Sequence, residues 1–105
     1  MPPRLSRLPK QEFLSRGFRV VKTPYFSLKQ KKNDIQKNRF GAIIGKAVHK
    51  SAVERNFLRR QAREGISKTI SSGNDILVIF APAANKLTKR RLHEELAKAA
   101  AQLQK

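Results

Sequence analysis

The sequence has 105 residues, room for one domain, and 24 lysines and arginines against 7 acidic residues give it a formal net charge of +17. So much like charge destabilises a compact protein unless an anionic partner relieves it, which favours nucleic acid first and an anionic membrane surface second. The chain has no cysteine, which excludes disulfides and thiolate metal sites, and no apolar run near the roughly 20 residues that span a bilayer, so we expect a cytoplasmic protein.

The N-terminal segment predicts a basic arm followed by a short helix. Residues 1–8 hold two prolines and two arginines, which indicates a flexible basic arm in front of a single domain over residues 9–105. Pro9 suits the first position of a helix, so a short helix bearing Phe13 is predicted, with Gly17 as its end.

Three strands are predicted next. Residues 18–21 and 25–30 favour extended structure and are separated by Thr23-Pro24. Residues 31–38 form a polar turn region, and the apolar segment 39–45 predicts a third strand. We expect this third strand to pair with the strand before the turn.

The second half predicts helix, strand and helix. Residues 51–71 have a helical pattern, with Ser51 as N-cap, Glu54 completing a capping box, and residues 72–74 as the stop. Residues 76–80 have no polar side chain, which indicates a strand buried on both faces. Thr88 is the predicted cap of the last helix, whose inward stripe is Leu92, Leu96, Ala99, Ala100 and Leu103. The order α-β-β-β-α-β-α predicts an α+β sandwich of sheet and helices.

Cations concentrate on one face of the helix predicted from residue 51. At 100° per residue, five polar residues fall within roughly 140° of arc. They are Arg55, Asn56, Arg59, Arg60 and Arg63. No acidic residue is interleaved along this stripe, so its arginines repel one another until phosphates arrive. The alternative interpretation is a merely solvated basic face.

Three more candidate phosphate-binding residues come just before this helix. Lys46, His49 and Lys50 lie where the helix macrodipole already favours anions. Arginine dominates over lysine on the helix itself, and its planar group can bridge phosphate oxygens or stack on exposed bases. This preference favours nucleic acid over a membrane, and residues 46–63 become the centre of a predicted RNA-binding surface.

Residues 52–63, AVERNFLRRQAR, resemble the protein subunit of bacterial ribonuclease P. That family carries an Arg-Asn-Arg signature followed by a hydrophobic residue, two basic residues and a further basic residue. The matching positions are Arg55, Asn56, Leu58, Arg59, Arg60 and Arg63. Phe57 departs from the pattern, because the family usually has a basic residue there. The similarity extends over residues 7–103 and includes the strand and basic connection at residues 39–46.

The resemblance implies a single α+β domain with a left-handed βαβ crossover. It also implies assembly with a catalytic RNA and precursor tRNA, whose 5′ leader is removed by endonucleolytic cleavage. In the family the motif helix docks on the catalytic RNA. A cleft between the first helix and the sheet holds the leader, and by position that cleft takes Phe13, Tyr25 and Lys29.

The residues indicate no catalytic centre on the protein. Its seven carboxylates are scattered and form no ligand-spaced metal site, and its two histidines make acid–base catalysis by the chain improbable. We therefore expect Mg²⁺ mainly on the RNA, no cofactor on the protein and no small-molecule substrate. A non-enzymatic RNA-binding module, such as a ribosomal protein, and a helix-reading DNA protein are the rival interpretations.

Overall fold

In the computed structural model, which describes residues 6–14, 16–70 and 73–103, a mixed sheet is covered on one face by two helices. The strands are β1 (Ser6–Arg7), β2 (Arg19–Lys22), β3 (Phe26–Lys32), β4 (Arg39–Ile43) and β5 (Asn74–Phe80). The helices are α1 (Ala52–Ser67) and α2 (Lys89–Leu103), with short 3-10 helices at Lys10–Leu14 and Pro82–Lys86. The predicted α+β class is confirmed, and the first predicted helix is the 3-10 helix Lys10–Leu14.

β5 is the central strand of the sheet, whose order is β1-β4-β5-β3-β2. Ile76, Leu77 and Val78 are fully buried, as the run without polar residues predicts. The expected pairing of residues 39–45 with the preceding strand is wrong, because β5 lies between them and pairs with β4 in parallel and with β3 antiparallel. The most apolar strand takes the central position, where it is paired along both edges and nearly all its side chains are buried.

The last residues of the predicted N-terminal arm belong to the sheet. Ser6 and Leu8 donate backbone hydrogen bonds to the carbonyls of Asn38 and Phe40, at 2.9 and 2.8 Å. Ser6–Arg7 thus forms β1, parallel to β4, and Leu8 is buried. The arm prediction is therefore wrong for residues 6–8, and residues 1–5 lie outside the described residues.

α1 begins as predicted and ends early. The Ser51 hydroxyl accepts from the Glu54 backbone N–H at 3.4 Å, but the Glu54 carboxylate contacts His49 Nδ1 at 2.8 Å. The helix ends at Ser67 rather than near residue 71. The predicted stop at residues 72–74 is wrong, because Asn74 is already a buried residue of β5. Residues 71 and 72 lie outside the described residues.

The two helices pack on each other and on one face of the sheet. The Thr88 hydroxyl accepts from the Arg91 backbone N–H at 3.1 Å, which confirms the predicted cap of α2. All five residues of its predicted inward stripe are buried. Gly65 of α1 admits α2 closely, since an added Cβ would stand 3.3 Å from Leu96 Cδ1. Among the described residues, no helix is both long and apolar enough to cross a membrane.

Candidate nucleic-acid interface

The predicted basic stripe lies beside the side of α1 that packs on the core. Leu58, Ala62 and Ile66 turn this adjacent side of the helix into the core, where each is at most 6% exposed. The stripe residues are all at least partly accessible: Asn56, Arg60 and Arg63 are exposed, and Arg55 and Arg59 are half-buried. The helix therefore presents an amide and four guanidinium groups outside the core.

Contacts within the segment hold the first two arginines of the stripe. Arg55 Nη1 donates to the carbonyls of His49 and Lys50, both at 2.9 Å, and so ties the loop before α1 to the helix. Arg59 Nη1 donates to Asn56 Oδ1 at 2.8 Å. The sequence pattern treats these arginines alike, but Arg55 supports the loop while Arg59 is directed along the helix.

The loop before α1 places its three candidate residues differently. Lys46 and Lys50 are exposed, whereas His49 is half-buried. The Glu54 carboxylate, 2.8 Å from His49 Nδ1, occupies one nitrogen of the His49 ring. The two lysines are the accessible cations at this end of α1.

Arg59 and Arg63 line a cleft of about 390 Å³ between α1, the 3-10 helix Lys10–Leu14 and the edge of β4. We call it the basic cleft; its other lining residues are Arg7, Leu8, Lys10, Phe13, Phe40, Gly41 and Ala42. In the structure Phe13 thus lies beside the basic stripe, whereas the sequence pattern assigned Phe13 and the stripe to separate sites. It also adds Arg7 and Lys10, which sequence reasoning missed. The sequence shows that both residues are charged, but elements as short as these have no periodic pattern that would place the two residues beside α1.

Aromatic rings form the apolar part of the basic cleft. Phe13 lies directly over Gly41, where an added Cβ would stand only 2.6 Å from Phe13 Cε1. The Arg63 guanidinium carbon lies 5.9 Å from the centroid of the buried Phe40 ring, within cation–π range. Flat rings therefore lie beside planar cations, an arrangement suited to the bases and phosphates of an unpaired strand.

The cations of the basic cleft are not neutralised by the described part of the chain. Arg7, Lys10, Arg59 and Arg63 form no ion pair with another described residue. No acidic side chain of the described ranges lines the cleft. Four positive charges around one concavity attract a polyanion and raise its local concentration.

Tyr25 and Lys29 lie outside the basic cleft. Tyr25 is half-buried and packs against the hydrophobic core, and its assignment to the leader-binding site stays a prediction. Lys29 of β3 pairs with Leu77 of β5, which in turn pairs with Gly41 of β4. Because paired residues share a sheet face, Lys29 lies two strands from Gly41, about 10 Å away on the same face. Lys29 extends the positive surface beyond the cleft.

The acidic residues serve the fold or lie apart from one another. Asp75 is buried, and Arg39 donates to both its oxygens at 2.8 Å while Asn33 donates to Oδ1 at 2.8 Å. Burial raises the pKa of Asp75, but the hydrogen bonds from Arg39 and Asn33 outweigh it and hold the pKa below its ordinary value. The hydrogen bond to Asp75 correspondingly raises the pKa of Arg39. In the described ranges, no three His, Asp or Glu side chains cluster as metal ligands.

Comparison with known proteins identifies relatives of this chain. The family model described as Ribonuclease P matches residues 4–104. The ribonuclease P protein component of Ralstonia pickettii is 35% identical in an alignment of 81 residues that covers 72% of this chain and 58% of the relative, so the chain spans less than two thirds of that protein. The RNase P protein of Staphylococcus aureus has the same fold, with a TM-score of 0.79, 23% identity, and 95% and 96% of the two chains covered. For the RNase P protein of Thermotoga maritima the TM-score is 0.67, with 21% identity and 89% and 96% coverage.

Proposed function

Because the chain belongs to the Ribonuclease P family, we propose that it is the protein subunit of a ribonuclease P holoenzyme, which binds the catalytic RNA and the 5′ leader of precursor tRNA. In this role it assists endonucleolytic removal of the leader, which yields the mature 5′ end of the tRNA. The observation that carries the proposal is the basic cleft, in which Arg59 and Arg63 of α1 meet Phe13.

The two sides of the stripe suit two RNA partners. The exposed side chains of Asn56 and Arg60, with Lys46 and Lys50 at the helix entrance, form the outer surface for the catalytic RNA. The basic cleft is narrower and has an aromatic wall, which suits a single strand whose bases stack and whose phosphates contact guanidinium groups. We assign the leader to this cleft, with Lys29 contacting phosphates further along the sheet.

The chemistry is assigned to the RNA. Hydrolysis by the protein would need clustered carboxylates for metal ions or a pair of catalytic histidines. His49 is paired with Glu54, and His93 Nε2 lies 3.0 Å from Gln61 Oε1 between the two helices, so the histidines belong to different contacts. The protein supplies positive charge and binds the substrate, while the RNA binds Mg²⁺.

Reconstitution tests this function. The chain is combined with a bacterial ribonuclease P RNA, and cleavage of precursor tRNA is measured at low Mg²⁺ concentration. We expect the protein to accelerate cleavage, because its cations replace part of the charge neutralisation that Mg²⁺ otherwise supplies. Unchanged cleavage would favour a non-enzymatic RNA-binding module. Gel-shift competition in which duplex DNA displaces structured RNA would favour a DNA-binding protein.

A leader-length series tests the assignment of the cleft. In the reconstituted complex, Phe13→Ala should weaken binding of a precursor tRNA with a long leader by about tenfold. This loss is within the range for one lost base–aromatic stack. Binding of tRNA without a leader should stay unchanged. The matched control is Phe18→Ala, since Phe18 is a half-buried aromatic outside the cleft that contacts Lys31. Equal losses with and without the leader would contradict the assignment.

A further inference from the structure

Phe57 is a half-exposed aromatic residue on the flank of α1 that faces α2. It keeps 49% of its surface accessible and lies about 160° around the helix from Arg59. Together with Leu58, Leu87 and Leu92, it lines a groove of about 220 Å³ between α1 and the start of α2. We call this the Phe57 groove. Among the described residues, it shares no lining residue with the basic cleft and is separate from it.

The Phe57 groove has an apolar floor and an exposed cation at its rim. Leu58 and Leu92 are buried beneath it, and Lys89 is exposed at its rim. Arg90 and Arg91, the next two residues, are paired with Glu94 and Glu95 one turn later in α2. Lys89 has no such partner in the described ranges. Of these three consecutive cations, Lys89 is therefore the one available to an external anion.

The Glu54 carboxylate also lines the Phe57 groove. It contacts His49 Nδ1 but remains accessible, so it disfavours a phosphate beside it. The groove therefore accepts negative charge beside Lys89 and a flat apolar ring against Phe57. A nucleotide has both parts, and stacking on an aromatic side chain is tolerant of base identity.

We infer that the Phe57 groove binds one unpaired nucleotide of the catalytic RNA, with its base on Phe57 and its phosphate at Lys89. The inference rests on the proposed function, because it assumes that α1 docks on that RNA. The net charge of +17 favours RNA over an apolar protein segment as the occupant. The catalytic RNA is favoured over the leader because the basic cleft lies on the other flank of α1, across a helix about 10 Å wide.

Photo-crosslinking in the reconstituted complex identifies the occupant. In one arm a bacterial ribonuclease P RNA carries 4-thiouridine, and in the other arm the precursor tRNA carries it. After irradiation, mass spectrometry locates the labelled peptides of the full chain. We expect the peptide containing Phe57 to be labelled by the catalytic RNA. Labelling of this peptide only by precursor tRNA, or its absence while peptides around Arg63 are labelled, would overturn the inference but not the proposed function. Absence of any complex would overturn both.

Binding measurements with variants provide a second test. Phe57→Ala should weaken binding of the catalytic RNA by about 5- to 150-fold, the range for one stacked base, whereas Phe57→Trp should bind as well as the wild type. Because stacking releases no counterions, the slope of log affinity against log salt should not change. Val53→Ala is the matched control, since Val53 lies one turn earlier on α1, is 77% exposed and does not line the groove.

Two outcomes of the variant series would contradict the inference. The first is a loss of affinity for Phe57→Ala no larger than for Val53→Ala. The second is unchanged RNA affinity together with altered self-association in sedimentation experiments, which would identify a second copy of the chain as the occupant of the Phe57 groove. Lys89→Ala should, by contrast, weaken RNA binding and reduce the salt slope by about 1, as expected for a lost phosphate contact.

Discussion

Two regions of this molecule differ in whether their charged side chains have a partner of opposite charge. At the start of β5, the buried Asp75 carboxylate accepts hydrogen bonds from Arg39 and Asn33. In the basic cleft, Arg59 and Arg63 stand beside further cations without a carboxylate partner among the described residues. The first arrangement stabilises the fold, because a buried charge is tolerated only when it is paired and hydrogen-bonded. The second keeps like charges together and becomes favourable when a polyanion binds.

The largest expected effect comes from placing a carboxylate in β5 where no donor meets it. Val78 is fully buried and lies three residues after Asp75 on the same strand. Val78→Asp should unfold the domain, with a loss above about 4 kcal/mol, because it buries an unpaired charge. Circular dichroism and urea unfolding measure this. Val78→Ala, the control, should remain folded with reduced stability, and a natively folded Val78→Asp protein would refute the argument.

Removing the charge of Asp75 should have the next largest effect on stability. Asp75→Asn leaves the Arg39 guanidinium beside a neutral amide, and we expect a loss of about 3 kcal/mol in the free energy of unfolding at pH 7. Urea unfolding monitored by circular dichroism measures the loss. Asp34→Asn serves as the control, because Asp34 is exposed and its substitution should change stability little.

The same variant has a predicted pH signature. The pKa of Asp75 is lower in the folded protein than in the unfolded chain, where it is about 3.9. The carboxylate therefore contributes stability above about pH 4, and this contribution disappears as the pH falls through the folded pKa. Wild-type stability should fall on acidification below pH 4, and this part of the fall should be missing in Asp75→Asn. Parallel stability curves for the two proteins would contradict the ion-pair assignment.

In the basic cleft the expected effect is on binding rather than folding. Arg63→Ala should weaken RNA binding by about 10- to 100-fold, the range for one charge-assisted hydrogen bond, and should reduce the salt slope by about 1. Stability should fall by no more than about 1 kcal/mol, since only an exposed cation–π contact with Phe40 is lost. Lys98→Ala is the charge-matched control, on an exposed part of α2 outside every described cleft. An unfolded Arg63→Ala protein would mean that the side chain serves the core.

The degree to which the site could be predicted differs between its parts. The helical period of 3.6 residues placed Leu58 and Ala62 to one side of the cations of α1, because the core must take the apolar side of an amphipathic helix. The same pattern could not reveal that Arg55 donates to carbonyls of the preceding loop, since such contacts depend on the path of that loop. The partnership of Phe13 with Arg59 and Arg63 was equally hidden, because these residues come from distant parts of the chain.

The amino-acid sequence by itself determined the α+β class, the core faces of α1 and α2, the burial of β5 and the basic outer surface of α1. Each of these follows from a local period or from the charge of neighbouring residues. Only the tertiary structure decided that β5 separates β3 from β4, that residues 6–8 join the sheet, and that Tyr25 packs against the core. These features depend on which apolar surfaces, out of all those along the chain, are buried against one another. A short stretch of sequence carries no signal of which surfaces these are.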